Sequence, residues 1–267
     1  MPTQVYILEP GIIAWCWLLM EQDKTPHQSI AGRRILVTGG TTGIGRAIVL
    51  SLAALGGRVM TFARDRAALR ETLTAAGLSE HCGLAADASD PEDLEKVFAA
   101  VDERLGGIDV LVACAALGAG PLHEMEDADW RYVVETNLMG SLACARAAIL
   151  RMLQEGGGHI VLLSSISPDI KAPGESVYAA TKAGVDAFAL TLRKEVGERG
   201  IRVSVIQPGS VESDMQPCSA EAQREAIAKG EMLFAEEIAE AIVFVLTRSA
   251  RCDIPMLRIE PIRQKTA

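Results

Sequence analysis

From residue 33 onward the chain alternates between two apolar patterns. One is a short continuous run rich in Val, Ile and Leu, the mark of a strand buried on both faces. Seven such runs occur: RILVTGG from Arg34, RVMTFA from Arg58, a short stretch within GLAADAS from Gly83, IDVLVACAA from Ile108, HIVLLSS from His159, IRVSVIQPG from Ile201 and MLRIEP from Met256. The other pattern repeats apolar residues every three or four positions, as in IGRAIVLSLAAL from Ile44 and RAALRETLTAAG from Arg66, and predicts helices. DPEDLEKVFAAVDERLGG, from Asp90, opens with an Asp cap, a Pro and acidic residues and closes on two glycines, the signals that start and stop a helix. A long helical stretch runs from about Asp127 to Gln154, and a further helix precedes the sixth strand.

Strands that alternate with helices imply a parallel sheet covered on both faces and wound by right-handed crossovers. The fold class is α/β: a single doubly wound Rossmann domain around a central, mainly seven-stranded parallel sheet. That domain spans residues 30–267 and follows an extension, residues 1–29. The extension holds an apolar run of ten, GIIAWCWLLM at 11–20, and then a polar stretch, EQDKTPHQS. Ten residues are too few to span a bilayer, which takes about 20. The run also lacks the basic flank and cleavage site of a signal peptide. It is expected to be disordered or to pack on an apolar surface; the sharper alternative, from Trp15 and Trp17, is contact with a partner chain or a membrane surface.

Composition excludes some functions. Hydrophobic residues make up 49% and charged residues 23%, as in soluble globular chains. A net charge of −9 argues against binding a phosphate backbone, so nucleic acid is not an expected partner. The six cysteines are scattered without C-x-x-C spacing and read as reduced thiols in a cytoplasmic protein. The four histidines form no cluster, so no metal site is expected.

TGGTTGIG, residues 38–45, ends the first strand and opens the first helix. A dinucleotide needs this shape: backbone amides at a helix N-terminus to hold pyrophosphate, with no Cβ atoms in the way. Gly39 can make the tight turn, Gly43 can let the chain approach the phosphates, and Gly45 can allow close helix–strand packing; Thr41 and Ile44 lie between them. Farther on, SVYAATKAG places Tyr178 four residues before Lys182. On a helix the two share one face and can touch. They form either a reactive phenol beside its activating cation or an ordinary pair on a solvated helix.

The spacing T-G-x-x-x-G-x-G and the Tyr-x-x-x-Lys pair resemble the classical short-chain dehydrogenase/reductase family, over about residues 30–262. The resemblance implies an oxidoreductase that moves a hydride between a nicotinamide and a carbonyl or alcohol carbon. It adds Ser165, thirteen residues before Tyr178, and Asn137, so that Asn137, Ser165, Tyr178 and Lys182 form the expected catalytic set. Tyr178 is then the general acid for reduction and the base for oxidation. A lysine ammonium one turn away, helped by the helix dipole, is expected to lower its pKa below the usual value of about 10. Lys182 would also hold the nicotinamide ribose, Ser165 would orient the substrate oxygen, and Asn137 would hold a water. The same resemblance places Asp87 at the adenine ring, Ala115 beside the cofactor, and Pro208, Gly209 and Val211 beside the nicotinamide. Residues from about Asp214 to Phe234 would form a flap over the substrate.

The cofactor choice turns on the end of the second strand. An acidic residue there holds the ribose 2′-hydroxyl of NAD, whereas an arginine accommodates the 2′-phosphate of NADP. Ala63 stands where NAD enzymes carry the acid and Arg64 follows, so NADP(H) is favoured over NAD(H). A one-residue slip would make Asp65 the acid and the chain an NAD-dependent alcohol dehydrogenase.

One departure is plain: the family's N-N-A-G after the fourth strand is ACAA here, residues 113–116. Ala113 and Cys114 lack the side chain that braces the sheet, so some rigidity near the nicotinamide is expected to be lost. This keeps open a cofactor-binding sensor with little turnover. The carboxyl end, MLRIEPIRQ, lacks the glycine-rich finish common in bacterial oxoacyl carrier-protein reductases. The resemblance further implies a homodimer or homotetramer built through the helices that follow the fourth and fifth strands.

Overall fold

All seven predicted strands form. The computed structural model describes residues 27–216 and 218–264, so the apolar run at 11–20 lies outside the described residues. The strands are β1 (Arg34–Thr38), β2 (Arg58–Ala63), β3 (Gly83–Ala85), β4 (Val110–Ala113), β5 (Gly158–Leu163), β6 (Ile201–Pro208) and β7 (Met256–Ile259). They make one parallel sheet in the order β3-β2-β1-β4-β5-β6-β7. The order reverses between β1 and β4, and the crevice beyond the carboxyl ends of these two strands is where such sheets bind ligands.

The strands read as unbroken apolar runs because helices cover both faces. Along β1, Ile35 and Val37 face one side and Leu36 the other, and all three are fully buried. Ile35 and Val37 meet α1 (Gly43–Ala54) and the later helix Ala235–Leu246. Leu36 shares its side with α3 (Pro91–Leu105) and with the helices Gly140–Met152 and Ser176–Val196. Between α1 and α3, α2 (Arg66–Ala75) follows β2. Gln28 is tied to the domain: its N donates to Thr247 O at 2.9 Å and its Oε1 accepts from Arg202 at 2.7 Å.

Helix starts follow local chemistry. Asp90 caps α3 by accepting from Glu92 N at 2.8 Å, and Gly106 ends it in the left-handed region at φ 76°. The long predicted helix is continuous but not uniform: α4 (Asp127–Val134) passes through a π-helical segment, Glu135–Met139, into α5 (Gly140–Met152). Asp127–Met152 is long and apolar enough to cross a membrane, yet Val133, Cys144, Ala145, Ala148 and Met152 are buried inside the protein. A short α6 (Ser167–Ile170) precedes α7 (Ser176–Val196), and α8 (Ala220–Ala228) lies within the expected flap. The helix Ala235–Leu246, α9, is not among the predicted elements. Its start lacks a capping Ser, Thr, Asp or Asn; Phe234 sits there, and Glu237 reaches back to accept from Phe234 N at 2.8 Å.

Candidate active site

Two cavities open at the carboxyl ends of the strands and share a wall. The larger, about 590 Å³, runs from the glycine turn past β2 and β4 to Tyr178 and Lys182. Gly39, Thr41, Gly43, Ile44, Gly45, Arg64, Asp87 and Ala115 all line it. The second, about 510 Å³, lies beyond Tyr178 and is lined by Ser165, Pro208, Gly209 and Val211. The last three, expected beside the nicotinamide, thus border this outer cleft. Tyr178, Ile44, Ser164, Ser213 and Met215 line both cavities. Asn137 lines neither and is fully buried.

The glycine turn has the geometry of an anion cradle. Gly39 sits at φ 67°, and a Cβ there would come within 2.8 Å of Ala115 Cα. A Cβ on Gly45 would meet Gly39 O at 2.1 Å, so the first turn of α1 packs directly on the loop before it. Thr42, at the cap position of α1, makes no side-chain capping bond, and Gly43, Ile44 and Gly45 at the start of the helix line the cavity, where helix amides are ordinarily left for a ligand to use. This fits a pyrophosphate.

Around the end of β2 the acidic and basic residues divide their work. Asp65 is spent on the fold: its Oδ1 caps α2 by accepting from Ala67 N at 2.7 Å and Ala68 N at 3.2 Å. Arg64 is exposed and donates to Tyr132 Oη at 2.8 Å. Tyr132 donates in turn, through a very short hydrogen bond, to Asp87 Oδ2. Asp87 Oδ1 accepts from Ser89 N and Ser89 Oγ. Burial pushes the Asp87 carboxyl up, but the bonds from Tyr132 and Ser89 and the charge of Arg64 together hold it below the usual range. Tyr132 joins two predicted site residues and was not itself foreseen, because a single tyrosine on a half-exposed helix carries no pattern.

Tyr178 lies in the first turn of α7, with Lys182 one turn on. The Lys182 Nζ stands 5.6 Å from the centre of the Tyr178 ring and donates to Leu163 O at 2.9 Å. The expected fall in the phenol's pKa is not what this packing produces. Burial pushes Tyr178 up to about 12, the Ser165 hydroxyl pulls it down, and the charge of Glu175 raises it. Burial also brings Lys182 down to about 8, against the opposing influence of Cys114 and Asp186. At Tyr178 desolvation outweighs the hydrogen bond from Ser165. Ser165 Oγ donates to Ser167 Oγ at 3.1 Å and accepts from Ser167 N at 3.1 Å.

The loop after β4 is held firmly despite ACAA. Thr38 Oγ1 accepts from Cys114 N at 3.0 Å and from Ala115 N at 2.9 Å. Asn137 Oδ1 accepts from Leu117 N at 2.7 Å, while its Nδ2 donates to Leu117 O at 2.8 Å and to Thr181 Oγ1 at 3.2 Å. Side chains from β1 and from the π segment thus hold the backbone of residues 114, 115 and 117, where Ala113 and Cys114 have no side chain to do so. The Cys114 thiol borders the larger cavity, and burial pushes it up to about 12. No group of three His, Cys, Asp or Glu side chains that could hold a metal ion occurs among the described residues.

This arrangement agrees with known proteins. Residues 33–224 match the family model described as short chain dehydrogenase. The chain is 34% identical over 227 residues to the 3-oxoacyl-(acyl-carrier-protein) reductase FabG of Escherichia coli K12, covering 82% of this chain and 91% of that protein. It is 35% identical over 216 residues to carbonyl reductase family member 4 of Danio rerio, covering 80% and 91%. The crystal structure of a short chain dehydrogenase from Burkholderia cenocepacia J2315 in complex with NADP superposes with a TM-score of 0.77 at 29% identity, over 88% of this chain and 98% of that one. With its parallel seven-stranded sheet, its glycine turn and a family match over most of its length, the chain belongs to the short-chain dehydrogenases and is an oxidoreductase.

Proposed function

We propose that the chain is an NADP(H)-dependent carbonyl reductase with Tyr178 as its general acid. The observation that carries this reading is the position of Tyr178 in the wall between the two cavities, with Ser165 on the outer side and Lys182 on the inner. Residues 39–45 hold the pyrophosphate, Arg64 meets the 2′-phosphate, and Asp87 faces the adenine. Asp65 lends its Oδ1 to the helix cap, and the exposed Arg64 beside it suits a phosphate, which favours NADP(H) over NAD(H). The Burkholderia relative's complex with NADP points the same way.

When bound, the reduced nicotinamide supplies the hydride. The chain supplies the proton: Tyr178 Oη gives it to the substrate oxygen as charge develops there. A phenol held at about 12 keeps its proton until that moment, which suits reduction better than oxidation. The Ser165 hydroxyl can rotate its hydrogen from Ser167 toward the same oxygen and steady the developing charge. Lys182, buried and anchored on Leu163 O, presents its ammonium to the ribose and offsets the phenolate left behind. Asn137 acts at one remove by fixing the loop that carries Ala115. The chain works as a homodimer or homotetramer, and the exposed Met139, Leu150, Leu153 and Leu190 on the helices after β4 and β5 supply apolar surface for it.

The test is initial rates with NADPH and with NADH over a panel of ketones, aldehydes and alcohols. Ketone or aldehyde reduction with NADPH is expected, and Tyr178→Phe should lower it by about a hundredfold or more while NADPH still binds. A preference for NADH, or full activity in the variant, would overturn the reading.

A further inference from the structure

The outer cleft holds a carboxylate that the chemistry assigned to Tyr178 does not use. Glu175 stands three residues before Tyr178, at the cap position of α7. Side chains there commonly turn back onto the helix amides, but Glu175 makes no such bond. It lines the cleft instead, where its Oε2 accepts from Ser167 Oγ at 3.0 Å. Ser167 in turn accepts from Ser165 Oγ at 3.1 Å, so a chain of hydroxyls links the carboxylate to the reacting centre. The charge is felt there, since Glu175 helps to raise the Tyr178 phenol.

Two further observations bear on what the carboxylate is for. Glu175 is half-buried yet forms no ion pair among the described residues. It is also the only formally charged side chain among the described residues that line the outer cleft; the others are hydroxyls, amides and apolar groups. A carboxylate in the wall of a cleft, with no cation paired to it, is a ready partner for a cation delivered by a ligand. The same charge turns away a carboxylate or phosphate on the substrate.

We infer that Glu175 selects the substrate, and that the cleft takes a carbonyl compound bearing a protonated amine. The ammonium pairs with Glu175 while the carbonyl oxygen lies between Tyr178 and Ser165. Two hydroxyl hydrogen bonds separate Ser165 from the carboxylate, a reach of roughly 6 Å that fits an amine across a small ring or a few bonds from the carbonyl. This inference rests on the assignment of the outer cleft to the substrate.

Three ketones of one shape test it with the full chain and NADPH near neutral pH: N-methyl-4-piperidone as cation, 4-methylcyclohexanone as the neutral compound and 4-oxocyclohexanecarboxylate as anion. The expected order of kcat/KM is cation, neutral, anion, with a cation-to-neutral ratio of about tenfold, the size of one charge-assisted hydrogen bond. Glu175→Gln should collapse that ratio, chiefly through KM for the amine. A wild type indifferent to charge, or a variant that scales all three substrates alike as a purely structural role would, overturns the inference. Calorimetric titration of the NADP⁺-bound protein with the three matching alcohols separates this inference from the reductase reading. Charge-selective binding that is lost in Glu175→Gln supports the inference even without turnover, which would count against the reductase reading alone. Charge-blind binding, or no binding of any alcohol, overturns it.

Discussion

Asn137 turns both ends of its side-chain amide onto the backbone of one residue, Leu117, through bonds of 2.7 and 2.8 Å. The amide thereby acts as a short stretch of strand partner for a loop with no strand beside it. That loop carries Ala115 past the glycine turn, and Gly39 has room for it only because it lacks a Cβ. Asn137→Ala leaves an N–H and a carbonyl without partners in a half-buried place. Each such group costs about 1–3 kcal/mol, so urea denaturation should show a loss of about 2 kcal/mol or more. NADPH binding should weaken alongside. A variant as stable as the parent would mean that Thr38 alone holds the loop.

Tyr132 should matter to the cofactor without touching the chemistry. Its hydroxyl holds Arg64 at 2.8 Å on one side and Asp87 on the other. Tyr132→Phe releases both, and the Arg64 guanidinium loses its fixed position. The dissociation constant for NADPH should rise about tenfold, roughly the worth of a hydrogen bond to a charged group, and that for NADH should rise less. Equal weakening of both would show that Tyr132 serves the adenine side through Asp87 and not Arg64.

The cysteines should differ sharply in reactivity. Burial pushes the thiols of Cys114 and Cys144 up to about 12, so almost no thiolate exists at neutral pH. Cys218 and Cys252 are exposed. Timed alkylation followed by mass spectrometry should label Cys218 and Cys252 before Cys114, which should react at least about tenfold more slowly. Rapid labelling of Cys114 would show a thiolate held by Lys182 against desolvation.

Acid should unfold the protein partly through His159. The ring is buried on β5, where Nε2 meets Ser204 Oγ at 2.9 Å and Nδ1 has no partner among the described residues. Burial, together with the charges of Arg202 and Arg33, brings its pKa down to about 3 from the ordinary 6.5. Between those values the unfolded chain takes up a proton that the folded one refuses. Stability is therefore full above about pH 6.5 and falls toward pH 3, by up to about 1.4 kcal/mol per pH unit from this residue. Denaturation curves across that range should be less steeply pH-dependent in His159→Gln than in the parent.

How much of this was legible in the residues depends on the range of the interaction. The seven strands were legible because runs such as VLVA in β4 are apolar throughout, and even IRVSVIQP in β6, with Arg202, Ser204 and Gln207 in it, keeps a β-branched residue at nearly every other place. The glycine turn and the Tyr178–Lys182 pair were legible because their geometry is local. The bracing by Thr38 and Asn137 was not, since it joins residues far apart whose types are common. Nor was the pKa of Tyr178, because proximity to a lysine can be read from spacing whereas desolvation depends on everything packed around the ring. Helix α9 escaped notice for a simpler reason: Phe234 is no ordinary cap.

The π segment Glu135–Met139 means that the longest helix carries one residue more than an even α-helix needs. Deleting that surplus residue would improve the helix as a helix. It would also turn everything after it by about 100°, one residue's share of a turn. Gly140, where a Cβ would lie 2.6 Å from Ala88 O, would give way to a residue with a side chain, and Cys144, Ala145, Ala148 and Met152 would swing off the sheet. Left in place, the surplus frees Asn137 O to accept from Ser141 Oγ at 2.7 Å and aims the Asn137 amide at Leu117. In an otherwise regular helix, this irregularity is the part that a shortened or idealised version of the protein could not omit.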